Sequence, residues 1–249
     1  MRHPHLLAIA LTLIGALTGS TQAQSPPKTN WDEAKAREAA LAISKTWKFS
    51  PGEFEGGAAK DLQHDVYAVL PFDLPGKPRW ILLVATAPPE NYCHACSPVS
   101  GAVIFALKGD SWQSVYNQPN VSDLGAFGKP PNAHVQSLGP ATPAIEFELS
   151  SMAQGYVGTN VTFVAEVNQK LREVLSVLSA ESNEAADMPS DQTFSWHATV
   201  EMSSSIHEGF ADIVVKSSGT KPAGKGEDIR PYSETATYRF NGEVYKKVE

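Results

Sequence analysis

Cys93-His94-Ala95-Cys96 gathers the residues of this chain best suited to chemistry, and holds its only two cysteines. Three chemistries fit the spacing. Outside a reducing cytosol such a pair closes into a disulfide. The loop is short, so its chain-entropy gain is only about 2 kcal/mol. Thiol–disulfide exchange instead needs a thiolate stabilised by a helix N-terminus. Here Ser97-Pro98-Val99-Ser100-Gly101 follows, then a strand-like run over 102–107. A zinc or copper site would use Cys93, His94 and Cys96 with a distant ligand from His64, His134, His197 or His207. No second Cys-x-x-Cys and no His-x-x-x-His supports it. Covalent haem attachment needs histidine directly after the second cysteine, where Ser97 stands. A structural Cys93–Cys96 disulfide is the leading reading, with metal binding and thiol redox chemistry as alternatives.

The remaining motifs are weaker. The run from Gly219 to Gly226 nearly matches a phosphate-binding loop, but Gly226 replaces the Ser or Thr that would hold magnesium. Ser218-Gly219-Thr220-Lys221 fits Ser-x-x-Lys, yet glycine and the following Pro222 oppose the helix start that motif requires. Glu146 and Glu148 share a strand face at a spacing compatible with a glycosidase pair. Two carboxylates on the wet face of a strand are more simply solvated. His197 reads as a surface histidine. No catalytic constellation emerges, so the sequence leans away from an enzyme, and no cofactor is implied.

The elements that carry these residues begin with an export signal. Arg2, an apolar run over 6–17 and Thr21-Gln22-Ala23 predict a secretory signal peptide over 1–23, cleaved after Ala23. The run is too short to span a bilayer, which takes about 20 residues. A disordered polar leader is expected over 24–29. Residues 30–249 then read as one mainly β domain, whose sub-boundary, if it divides, falls in 180–192. The mature protein is expected in a periplasm or secreted.

A helix is predicted over 30–47, with Asn30 as N-cap and Glu33 completing a capping box. Ala36, Ala40, Ile43 and Trp47 form its apolar stripe. Afterwards the period changes to two. Strands are expected over 66–70, 80–85, 145–149, 194–200 and 210–215. Turn chemistry predicts hairpins at Lys108-Gly109-Asp110-Ser111, Val167-Asn168-Gln169-Lys170 and Phe240-Asn241-Gly242-Glu243, the last as a type I′ turn. Their return strands share a pattern of bulky residue, two polar residues and valine: Trp112 to Val115, Leu171 to Val174 and Tyr245 to Val248. Such spacing faintly echoes repeated hairpins in a meander or blade-like sheet. Long loops are expected over 117–143, 180–192 and 217–234.

The C-terminal segments Asp212-Ile213-Val214-Val215 and Tyr238 to Tyr245 resemble the end of many exported bacterial proteins of unknown function. They are also similar to one blade hairpin of FG-GAP-like propellers. Such proteins can carry a Cys-His-Ala-Cys loop before a hairpin, as at Cys93 to Cys96. The Asp-x-Asp-x-Asp-Gly calcium loop usual in those blades is missing here, and the resemblance implies no activity.

Net charge is −7, with no basic cluster, which disfavours nucleic acid and anionic membranes as partners. The expectation is a mainly β, antiparallel, exported protein with one N-terminal helix. It would bind an unknown protein or envelope component without catalysis. Trp112, Tyr116, Tyr156 and Tyr232, placed on its loops, would either supply contacts or belong to the core.

Overall fold

The computed structural model describes residues 30–50, 52–54, 61–89, 96–224 and 228–248. One helix, α1 (Glu33–Ser44), precedes twelve strands. Asp32, not Asn30, caps α1: its side chain accepts from Lys35 N at 3.1 Å. Asn30 has φ +64°, which takes it out of the capping conformation. The helix ends at Ser44, short of Trp47. Its small buried residues, Ala36 and Ala40, let it lie close on the sheet.

That first sheet is an antiparallel meander of β1 (Gln63–Pro71), β2 (Arg79–Ala87), β3 (Val99–Lys108) and β4 (Ser111–Ser122). Alternation divides its central strands between two cores. Leu82, Val84, Val103 and Phe105 face α1. Ile81, Leu83, Ala102 and Ile104 face the second sheet, meeting Ile145, Phe147 and Val164. Gly101 is required where Trp47 crosses β3, since a Cβ there would stand 2.3 Å from the indole.

The second sheet runs in strict sequence order through β5 (Asn132–Ser137), β6 (Pro143–Ala153), β7 (Tyr156–Val167), β8 (Lys170–Ser182), β9 (Ser195–His207), β10 (Phe210–Pro222), β11 (Ile229–Phe240) and β12 (Tyr245–Lys247). It folds back on itself. β8 and β9 pair only through Ala180–His197, Glu181–Trp196 and Ser182–Ser195. Beyond those pairs, Phe163, Ala165, Val174 and Val177 pack against Phe210, Ile213 and Val215. Ala211 N donates to Leu138 O at 2.5 Å, tying the start of β10 to the end of β5. The chain is thus three successive four-stranded meanders, stacked face to face. The bulky–polar–polar–valine echo falls on β4 and β8 and begins with β12, the closing strand of each unit.

Several turn and loop expectations change. Asn168 and Gln169 both have positive φ, so the β7–β8 hairpin forms as read. At 241–244 the loop has four residues, not a two-residue type I′ turn, because Phe240 pairs with Tyr245. The Asn241 carboxamide accepts from both Glu243 N and Val244 N and closes it. Within the expected loops 117–143 and 217–234, residues 117–122, 132–137, 217–222 and 229–234 are strand, while 123–131 and 138–142 connect strands. Polar residues there lie on exposed faces, and Pro119 and Pro231 sit where no neighbouring strand needs their N–H. The expected loop 180–192 gives its first three residues to β8. Trp112, Tyr116, Tyr156 and Tyr232 accordingly stand on strands, not loops.

Candidate functional site

Of the sequence-predicted cluster, Cys93 and His94 lie outside the described residues. Cys96 lies within them, 8% exposed, and is not a free thiol. Its carbonyl accepts from Gly128 N at 2.8 Å, and Ser97 Oγ donates to Gly125 O at 2.7 Å. The segment after the pair is therefore docked on the β4–β5 connection. The described histidines do not converge on it. His64 Nδ1 lies 3.0 Å from Thr86 Oγ1, and burial followed by Lys45 lowers its pKa. His134 pairs across strands with Glu146, and His207 Nε2 lies 3.5 Å from Asp212. His197 is exposed on β9. Among the described residues no three His, Cys, Asp or Glu side chains are grouped to hold a metal ion.

The weaker motifs dissolve into sheet. Ser218 and Lys221 lie on an extended strand at odd separation, so they face opposite sides. Gly219 and Lys221 are paired with Tyr232 and Arg230, which leaves no loop to wrap a phosphate over those residues. Glu146 and Glu148 do share a face of β6. Burial raises the Glu146 pKa, and the charge of Glu148 adds to that while His134 opposes it.

A cleft of about 330 Å³ opens where β8 diverges from the β9–β11 sheet. The register places Trp196, Gly219 and Tyr232 in one row across β9, β10 and β11. With no side chain on Gly219, Trp196 and Tyr232 meet edge to face at 5.6 Å. Lys221 Nζ stands 4.5 Å from the Tyr232 ring centroid and 5.8 Å from that of Trp196. One row inward, Ser217 lies opposite Glu234, and Val215 opposite Ala236 forms the floor. Val177 and Leu178 of β8 complete the opposite wall.

The charges here are ordered. Glu234 accepts from Lys247 at 2.7 Å and from Tyr232 Oη at 2.8 Å. The Lys247 hydrogen bond, then that of Tyr232, holds its carboxyl below the usual range. Trp196 Nε1 donates to Glu181 at 3.3 Å. Glu234 is thus an anion at neutral pH, suited to recognition and unsuited to delivering a proton.

Two further pockets use the aromatics singled out in the sequence. Trp112 joins Trp31 and Phe105 around a pocket of about 390 Å³ beside α1. Tyr156 joins Phe194 and Met188 around another of about 370 Å³. Tyr116 has a structural place instead: its hydroxyl and the Gln118 carboxamide oxygen accept from Leu171 N, and Gln118 Nε2 donates to Leu171 O. These bonds seal β4 against β8. The sequence marks Lys221 only through the Ser-x-x-Lys and phosphate-loop patterns, which the strand geometry excludes, and gives Trp196 no mark beyond strand alternation; the signal for this cleft is a glycine between residues that register brings together.

No protein-family model, curated protein or solved structure matches the chain. Among the described residues no helix is long and apolar enough to cross a membrane.

Proposed function

We propose that this chain is an exported, non-enzymatic binding protein that takes a small ligand in the cleft between β8 and the β9–β11 sheet. The observation that carries the reading is the build of that cleft. Its floor at Val215 and Ala236 is apolar, its wall is an aromatic pair held over Gly219, and Ser176, Ser217, Lys221 and Glu234 make the rest of the lining polar. Ligand sites commonly combine an apolar lining with a few placed polar groups, and commonly sit at the mouths of curled sheets. Export rests on the Arg2, 6–17 and Ala23 pattern. The Cys93–Cys96 disulfide rests on the redox compartment that pattern implies and on Cys96 not being a free thiol.

A neutral apolar dye, N-phenyl-1-naphthylamine, tests the cleft. The native protein should bind one equivalent with enhanced fluorescence. Ser217→Trp, which fills the cleft from a part-exposed position, should abolish that binding while leaving the far-UV circular dichroism unchanged. Absence of binding to the native protein, or binding undiminished in S217W, overturns the reading. Sequencing the N-terminus of protein recovered outside the cytosol should begin at Gln24.

A further inference from the structure

The charge pattern of the same cleft names a ligand class. Register puts Lys221 directly opposite Arg230 at the outer end of the β10–β11 hairpin. Residues opposite each other in an antiparallel pair share a face. One face therefore runs from two cations, across the Trp196–Tyr232 pair, to Val215 and Ala236.

The acid nearest to these cations is Glu234, on which Lys221 acts through space without a direct bond. Among the described residues, neither Lys221 nor Arg230 forms an ion pair with a carboxylate. Glu234, the nearest acid of the row, is already bridged by Lys247 and Tyr232. Glu181 is bonded to the Trp196 indole. Three cations, Lys221, Arg230 and Lys247, thus stand near two committed carboxylates, in a chain whose net charge is −7. A cationic mouth on an acidic protein attracts anions locally against the overall field. Lys221 holds its ammonium over aromatic faces, where it still has free donors for an incoming oxygen.

We infer that the cleft binds a small amphipathic carboxylate, its apolar body on Val177, Val215 and Ala236 and its carboxylate at Lys221. The assignment rests on the binding reading above and adds the sign of the ligand. Decanoate, 1-decanol and decyltrimethylammonium, each below its micelle concentration, provide one chain with three heads. They are titrated against the bound N-phenyl-1-naphthylamine. Decanoate should displace the dye at about tenfold lower concentration than decanol, as a charge-assisted hydrogen bond provides. Decyltrimethylammonium should be the weakest competitor. Lys221→Gln, at an exposed position, should remove the decanoate advantage, read as the ratio of the decanol and decanoate concentrations that displace the dye. Equal displacement by decanoate and decanol, or an advantage that survives in K221Q, overturns the carboxylate assignment and leaves the cleft standing. Failure of the dye itself to bind the native protein overturns the cleft.

Discussion

Trp196 and Tyr232 stand on β9 and β11, which are separated by β10, and their rings meet because the intervening residue is Gly219. Gly219 has φ +141°, and a Cβ there would lie 2.3 Å from Ser195 O and 2.6 Å from Trp196 Cα. Both obstacles belong to backbone, which cannot swing aside. Gly219→Ala should therefore cost about 1–3 kcal/mol, read as a lowered urea midpoint with unchanged slope. An unchanged midpoint would mean that β9 and β10 separate without penalty, and that the aromatic pair does not depend on this glycine.

The contact between the first and second sheets includes one ion pair, and its two halves should behave unequally. Arg79 is 9% exposed; its Nη1 and Nη2 each lie 3.3 Å from Glu166 Oε2, and its guanidinium lies 5.5 Å from the Phe72 ring. Arg79 Nε is buried without an acceptor. Removing Glu166 leaves a buried guanidinium uncompensated, whereas replacing Arg79 by an apolar side chain removes the charge itself. Glu166 is exposed, so solvent screens the loss. Glu166→Gln should cost about 1–2 kcal/mol, and Arg79→Met less. The reverse order in chemical denaturation would show that the arginine stem, not its charge, holds the two sheets.

Cys93 and Cys96 test the disulfide directly. Native protein should show no thiol reactive to a chromogenic disulfide reagent, and two after reduction under denaturing conditions. Cys93→Ala with Cys96→Ala should lower stability by about 2 kcal/mol, the small increment of a short loop. Two reactive thiols in oxidised native protein, or stoichiometric zinc or copper by elemental analysis, would restore the metal and redox readings of Cys93, His94 and Cys96.

Much of this architecture was legible because alternation survives in single sequences. Ile145 and Phe147 between Glu146 and Glu148 report a strand, and the structure buries the two apolar members. Polar alternation says less: Ser217, Ser218 and Gly219 look like loop, and only their pairing with Tyr232, Ser233 and Glu234 makes them strand. Hairpins turn at Gln154-Gly155 and Glu208-Gly209, where both residues of each take positive φ. Gln and Glu rarely lead such turns, so their chemistry gives little signal. The cleft was illegible for a different reason. It depends on where β8 parts from β9, and nothing local in 180–197 marks how far the pairing runs.

Glu146 supplies a pH test of the remaining carboxylate pair. Half-buried on β6 opposite His134, its pKa is raised above 4.5 chiefly by burial, with the charge of Glu148 in the same direction and that of His134 opposing. For an acid whose folded value is raised, the fold is favoured while the group is protonated. That contribution is fully present below the unfolded value and is lost as pH rises through the folded one. At neutral pH the ionised carboxylate therefore weighs against folding. Glu146→Gln removes the ionisation and keeps the shape. The variant should have a higher urea midpoint than the parent near pH 7, by under about 1 kcal/mol after solvent screening, and the gap should close near pH 4. A variant less stable than the parent at neutral pH would show instead that attraction to His134 outweighs burial, and would make Glu146 and His134 a stabilising pair at the edge of the second sheet.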